Sequence, residues 1–292
     1  METGKYLEKV YGGLVGKCVG VRVGAPVEPT IWSYERIRKT YGDITGYVKD
    51  YSNFAADDDI NGPLFFIRAL IDGTSGAGSP EDADSHLPGR RVHPVTPKTI
   101  ARAWLNYARE DFGFFWWGGY GRSTEHTAYL NLKNQMGAPA SGCIRTNGAA
   151  IAEQIGGQIF IDSWGWVYPN QPKEAADAAE IAASVSHDGN GLYGARFIAG
   201  CIAHAFGPEG ETGRDSKVTP KEIAQLVEVG LSLIPSECEY ARVVTEVRDF
   251  YLAHPEDWRA ARDFLGTDFG YDRYPGVCHI IPNAGVCALA LY

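Results

Sequence analysis

Three adjacent carboxylates, Asp57-Asp58-Asp59, are the sharpest chemical feature of the chain. Carboxylates at that spacing repel one another unless something positive sits among them. Hard oxygen ligands of this kind suit magnesium, calcium or manganese. The flanks are apolar, with Phe54-Ala55-Ala56 before and Leu64-Phe65-Phe66 soon after. That sets the triplet apart from an ordinary solvated charge run. Read alone, it is equally the acidic first turn of a helix, where carboxylates offset the positive end of the dipole.

Three further places carry residue types that do chemistry. Ser186-His187-Asp188-Gly189-Asn190-Gly191 is a polar turn between two apolar stretches, placed to line a pocket or simply to connect two helices. Gly142-Cys143-Ile144-Arg145-Thr146-Asn147-Gly148 opens a helix, and backbone amides at such a start can receive a phosphate with Arg145 nearby. A lone glycine turn is weak support for that. Glu28 follows Gly24-Ala25-Pro26-Val27. By itself a glutamate there is most simply an exposed side chain.

Helices must position these groups. Leu7, Val10, Tyr11, Leu14 and Cys18 recur at three- and four-residue steps, predicting a helix from about Lys5 to Val19 that ends by Val23–Pro26. Gly12, Gly13, Gly16 and Gly20 interrupt it, which suggests that another backbone or a ligand comes close. A second helix is expected from the aspartates through Leu70, with Pro63 in its first turn. Residues 72–95, rich in Gly, Ser, Asp and Pro, read as a surface loop. Thr96-Pro97 reads as a cap and first-turn proline, with Ile100, Trp104 and Ala108 facing inward. Residues 111–142 read as a turn-rich insertion bearing Phe112, Phe114, Phe115, Trp116, Trp117 and Tyr120. Helices are then expected over 147–161, 173–185, 191–206 (apolar and central), 220–233, 237–253, 257–264 and 277–292. Sustained alternation of period two is lacking, so the fold class is all-α, in one domain spanning 1–292. The last stretch, Cys287-Ala-Leu-Ala-Leu-Tyr292, is apolar with no polar tail. It predicts a second chain or a further segment covering that helix, and a C-terminally incomplete domain.

Composition narrows the function classes. With 292 residues, the chain can bury a substantial core without staples. A formal net charge of −9 argues against a nucleic-acid surface and against a basic membrane patch. Six cysteines without C-x-x-C spacing read as small buried hydrophobes in a reducing compartment, not as zinc ligands. Without an apolar run of signal or membrane-spanning length, the expected location is the cytoplasm.

Taken in order, these blocks resemble the ADP-ribosylglycohydrolase family, also called the DraG or ARH type. The blocks Gly12–Gly16 and Gly24–Glu28 look like its opening glycine-rich helix and glutamate. Asp57-Asp58-Asp59-Ile60 looks like its Thr-Asp-Asp-Thr metal motif. Gly142–Gly148 looks like its glycine-rich substrate loop, and Ser186-His187 with Gly191 and Ala195 like its Thr-His block. The matching blocks span roughly Tyr6 to Phe206, about two thirds of the chain. The resemblance implies an orthogonal helical bundle and a magnesium-dependent hydrolase, with manganese an alternative ion, that cleaves a glycosidic bond of an ADP-ribosyl or related ribosyl substrate. It implies metal ligation by Asp58 and Asp59, or by Asp57 and Asp58 in the neighbouring register. Glu28, Asp58 and Asp59 are then the catalytic candidates. Gly142, Asn147, Gly148, His187 and Asn190 become the substrate-binding candidates.

The departures also matter. No Asp-x-Asp-Thr follows Ala284, Lys17 stands where many members carry aspartate, and the aromatic insertion points to a substrate other than a simple ADP-ribosyl protein. Two rivals follow. One is a metal-dependent hydrolase of another N- or O-glycoside, with Trp116 and Trp117 stacking on a base or sugar. The other is an ADP-ribose-binding homologue without catalysis.

Overall fold

Thr3–Gly24 forms one 22-residue helix, α1, in a computed structural model that describes residues 1–29, 31–50, 58–72, 95–110, 118–207, 218–255 and 257–292. Asp57, most of the expected loop over 72–95 and the aromatics Phe112 to Trp117 lie outside the described residues. These residues group into two compact units, Met1–Asn61 and Gly62–Tyr292.

In the first unit, α1 stops where Ala25–Val27 tightens into a 3-10 turn with Pro26 near its start. Helix α2, Tyr34–Tyr41, is short and half charged, with Tyr34, Ile37 and Tyr41 spaced along one side. Its start is held by Ser33, which accepts from the Arg36 amide at 3.2 Å. The expected inward face of α1 is not buried. Leu7 and Tyr11 are 58% and 70% exposed, and no described atom comes within 4 Å of a side chain placed at Gly12, Gly16 or Gly20. The described residues leave that glycine-lined face uncovered.

The division between units falls inside α3, Asp58–Ile67. Pro63 lies beyond the first turn, contrary to expectation, and lacks the N–H that would bond back along the helix. Its carbonyl instead accepts from Ser163 Oγ at 3.1 Å. After a break at Arg68 come α4, Ala69–Asp72, and α5, Pro97–Tyr107. Thr96 and Thr99 form a reciprocal capping box at the start of α5, and Ile100, Trp104 and Ala108 are buried as the spacing predicts. Within the stretch read as a turn-rich insertion lies a regular helix, α6, Thr124–Lys133, capped by Ser123. Its inward face mixes threonine, glutamate and asparagine with apolar residues, so an apolar count overlooks it.

Where a single helix was expected over 147–161 there are two short ones, α8, Ala149–Ala152, and α9, Gly156–Ile159, flanked by α7, Ile144–Asn147, and α10, Asp162–Val167. Two causes are visible. Gly148 has φ 79°, which ends α7. Between α8 and α9 the chain pairs with a distant segment, as the Ile155 amide donates to Cys278 O and the Ile280 amide to Glu153 O. Gln154 and His279 form the bridge.

Then follow α11, Pro172–Ala183; α12, Asn190–His204; α13, Pro220–Leu231; α14, Glu239–Ala253; α15, Trp258–Asp268; and α16, Ile280–Leu291. Helix α12 is central, packing against α9, α10, α11, α13, α14 and α16. Its Ala195, Ala199 and Ala203, one turn apart, join a core with Trp104, Phe160, Trp164 and the alanines of α11. Small facing side chains let the two backbones approach closely. Phe197, on another side of α12, joins a second core with Tyr240, Val243, Val247, Phe269 and Ile281.

Helix α16 buries Ile280, Ile281, Ala284 and Ala288 in that second core, while Val286 on its other side is 52% exposed. The fold is all-α. Among the described residues no helix is long and apolar enough to cross a membrane. The cysteines are less buried than expected. Five are half-buried and Cys287 is exposed, all as free thiols. The Cys201 thiol nonetheless lies deep, donating to Leu226 O at 3.2 Å, and burial pushes it up to about 12.

Candidate functional site

In the second unit two of the sequence blocks come together. The turn after α11 brings Ser186 against Gly142 so closely that a Cβ there would lie 2.4–2.5 Å from Ser186 main-chain atoms. Ser141 Oγ donates to Val185 O at 2.7 Å. The Asp188 carboxylate accepts from the Ile144 amide at 3.0 Å and from Gly189 at 2.8 Å, so an acid from one loop caps the helix of the other. Beside this seam is a cavity of about 320 Å³, with Cys143, His187, Asp188, Glu180, Ser184 and Leu192 in its wall.

The expected phosphate-receiving role of the Gly142–Gly148 amides is not what the structure shows for several of them. Ile144 N is held by Asp188, Gly142 N by Pro139 O, and Gly148 N by Ile144 O. Asn147 is likewise engaged: its amide donates to Ser141 O at 2.8 Å, and its carbonyl accepts from Asn131 at 2.9 Å. Asn190 ties helices together, donating to Glu153 at 2.8 Å and accepting from the Tyr240 amide at 3.1 Å. Gly148 is different. It is exposed, and no described atom lies within 4 Å of where a Cβ would stand, so a ligand can approach its backbone.

His187 is 2% exposed. Burial pushes its imidazole down to about 3, so the ring is neutral. Its Nδ1 is 2.7 Å from Ser186 Oγ, while its Nε2 has no hydrogen-bond partner. The Cys143 thiol is held below its ordinary range by the Thr146 hydroxyl, 3.2 Å away.

Sequence reasoning passed over three groups near these loops. Glu125, in the first turn of α6, is buried and accepts from Ser123 Oγ at 2.9 Å; burial pushes its carboxyl up. Glu153 is half-buried, which raises it. Hydrogen bonds from His279 and Asn190 outweigh that and leave it below the usual carboxylate range. His279 reaches Glu153 at 3.4 Å and accepts from the Ile281 amide at 3.2 Å. A polar residue inside Ala149-Ala150-Ile151-Ala152-Glu153 was the signal for Glu153. For Glu125 it was the Ser123 cap just ahead.

Glu28, Asp58 and Asp59 belong to the first unit, and the set around His187 belongs to the second. Glu28 is exposed at the end of the 3-10 turn. Asp58 and Asp59 are half-buried in the first turn of α3. Their donor chemistry fits a hard divalent cation. Among the described residues no group of three His, Cys, Asp or Glu side chains is gathered for a metal.

The chain is thus all-α, with paired acids in the first turn of α3 and, within the second unit, two interlocked loops beside a cavity. The sequence profile of the ADP-ribosylglycohydrolase family matches residues 2–291, and the chain belongs to that family. The match extends well past the blocks that end at Phe206. No curated protein and no solved structure matches the chain.

Proposed function

We propose that the protein hydrolyses the glycosidic bond of an ADP-ribosyl or related ribosyl substrate in a magnesium-dependent reaction. The observation that carries this reading is the family match over residues 2–291. The interlocked loops around Gly142 and His187 support it by walling a cavity from the blocks that resemble the family's substrate loops. Gly148, open on its exposed side, is where the substrate backbone contact falls. The seam residues Gly142, Asn147 and Asn190 hold those loops in register. His187, kept neutral by burial, presents an uncharged ring in the cavity wall.

Asp58 and Asp59, with Asp57, would hold the magnesium, or manganese in its place; bound there, the ion would supply Lewis-acid binding of ribose hydroxyls. Glu28 would move a proton at the leaving group or at the attacking water. As positive charge grows on the sugar, carboxylates nearby stabilise it. We place the protein in the cytoplasm, acting on a small-molecule or ADP-ribosylated substrate.

The test is release of ADP-ribose from ADP-ribosylated peptides, with magnesium and with chelator, in the native protein and in Asp58→Ala. Magnesium-dependent release that Asp58→Ala abolishes supports the reading. Full turnover in Asp58→Ala or in chelator removes the metal assignment. Cleavage of other N- or O-glycosides with ADP-ribosyl substrates untouched moves the substrate class. ADP-ribose binding without any release makes the chain a binding homologue.

A further inference from the structure

Glu125 and His187 come from different parts of the second unit, the first turn of α6 and the loop before α12. They meet over a residue with no side chain. A Cβ at Gly156 would lie 2.7 Å from Glu125 Oε1 and 2.9 Å from His187 Nε2. Both side chains are more than nine-tenths buried, and His187 Nε2 is the ring nitrogen with no partner. The far side of each group is anchored: Glu125 Oε2 by Ser123 Oγ, His187 Nδ1 by Ser186 Oγ. A buried, unsatisfied ring nitrogen facing a carboxyl oxygen across a glycine notch is a costly arrangement unless a proton lies between them.

We propose that Glu125 is a positioning residue for His187, the two sharing one proton across the notch left by Gly156, after a small rotation of either side chain or through a single water. With the pair fully protonated, the Glu125 carboxyl donates to Nε2 and Nδ1–H donates to Ser186 Oγ. Loss of one proton gives the other arrangement. The carboxylate accepts from Nε2–H, and the Ser186 hydroxyl turns to donate to Nδ1. The Glu125 proton has moved to Nε2, the Nδ1 proton has left to solvent, and the imidazole is neutral throughout. The pair titrates as a unit. Burial favours the uncharged form of each group, which supports the neutral pair as the protonated state.

The other ionisable groups around the ring are occupied elsewhere. Asp188 holds the Ile144 and Gly189 amides. Glu153 holds Asn190 and His279. Glu180, in the cavity wall, accepts from Arg196, and Cys143 contacts Thr146. Glu125 is thus the carboxyl that shares the Gly156 notch with Nε2. Because His187 is in the cavity wall, the shared proton sets the tautomer that this wall presents.

The experiment is ¹⁵N NMR of the histidine rings in the full chain from about pH 5 to about pH 9, a range that spans ordinary imidazole titration. His187 is identified through the backbone assignments of 186–188. Expected in the native protein is a neutral ring whose protonated nitrogen changes from Nδ1 to Nε2 as the pH rises. In Glu125→Gln the side-chain amide still donates to Nε2, so the ring stays in the Nδ1–H form at every pH. In Glu125→Ala the single preference is lost. A native ring that keeps one tautomer throughout, or that charges as an ordinary imidazole, overturns the proposal. So does the same pH switch in Glu125→Gln. The readout needs no turnover, so it stands or falls separately from the glycohydrolase reading.

Discussion

Replacing Gly142 by alanine tests the seam that joins the two loops. The new Cβ would lie 2.4–2.5 Å from N, Cα and C of Ser186. Ordinary carbon contacts begin near ~3.5 Å, so the shortfall is about 1 Å. The obstacle is backbone and cannot rotate away. The turn at Ser186 must back off, stretching the Ser141–Val185 bond of 2.7 Å and the Ile144–Asp188 bond of 3.0 Å. Overpacking costs typically 1–3 kcal/mol, and the two stretched hydrogen bonds together add about 1 kcal/mol, for a total of about 3 kcal/mol. In a chain of this size that lowers Tm by roughly 6–12 °C. The control is Gly137→Ala, where no described atom lies within 4 Å and φ is not positive. It should stay within about 0.5 kcal/mol of the native protein. Urea unfolding followed by circular dichroism, with a thermal scan alongside, gives both quantities. If Gly142→Ala is as stable as Gly137→Ala, the loops are not locked as described, and the account of Gly142 is wrong.

Three further outcomes follow from the same geometry. Glu153 lies below its unfolded value, so it contributes stability above the ordinary glutamate range that disappears as pH falls through its folded value. Glu153→Gln should flatten the acid limb of a stability–pH curve, and an unchanged limb would contradict the network with Asn190 and His279. His187 is lowered from 6.5 to about 3, so the folded state binds fewer protons there than the unfolded chain between those values. Stability from this group is present above the unfolded value and declines on acidification, by about 1.4 kcal/mol per pH unit; His187→Gln should lack that component, and an identical slope would contradict it. Among the thiols, Cys143 is lowered and in the cavity wall, whereas Cys201 is pushed up to about 12. Limited alkylation read by mass spectrometry should therefore modify Cys143 before Cys201, and the reverse order would refute these environments.

What depended only on neighbours in sequence could be read from the sequence. Thr96-Pro97 marks the start of α5 because a cap and a first-turn proline act locally. The alanine spacing of α11 and the apolar run of α12 predict both helices and the centrality of α12. The aspartate triplet, the glycine loops and the Ser186-His187 block carried the family resemblance, which the match over residues 2–291 supports. Helix α6 was hidden because its inward face is polar, and polar burial is satisfied only by partners brought from elsewhere, as Thr124 is by Ile151 O and Gln154.

What only tertiary structure decided involves groups far apart in the chain. The break between α8 and α9 comes from pairing of 153–155 with 278–280, which no local propensity encodes. Gly142 looked like a phosphate-loop glycine, yet its missing side chain makes room for Ser186. Asn147 and Asn190 looked like ligand-binding amides, and the fold gives them partners within the chain: Asn131 and Ser141 for the first, Glu153 and Tyr240 for the second. The meeting of Glu125 with His187 over Gly156 was equally invisible. Sequence specifies residue types and local periodicity, but burial and the close approach of distant backbone exist only once the helices have packed.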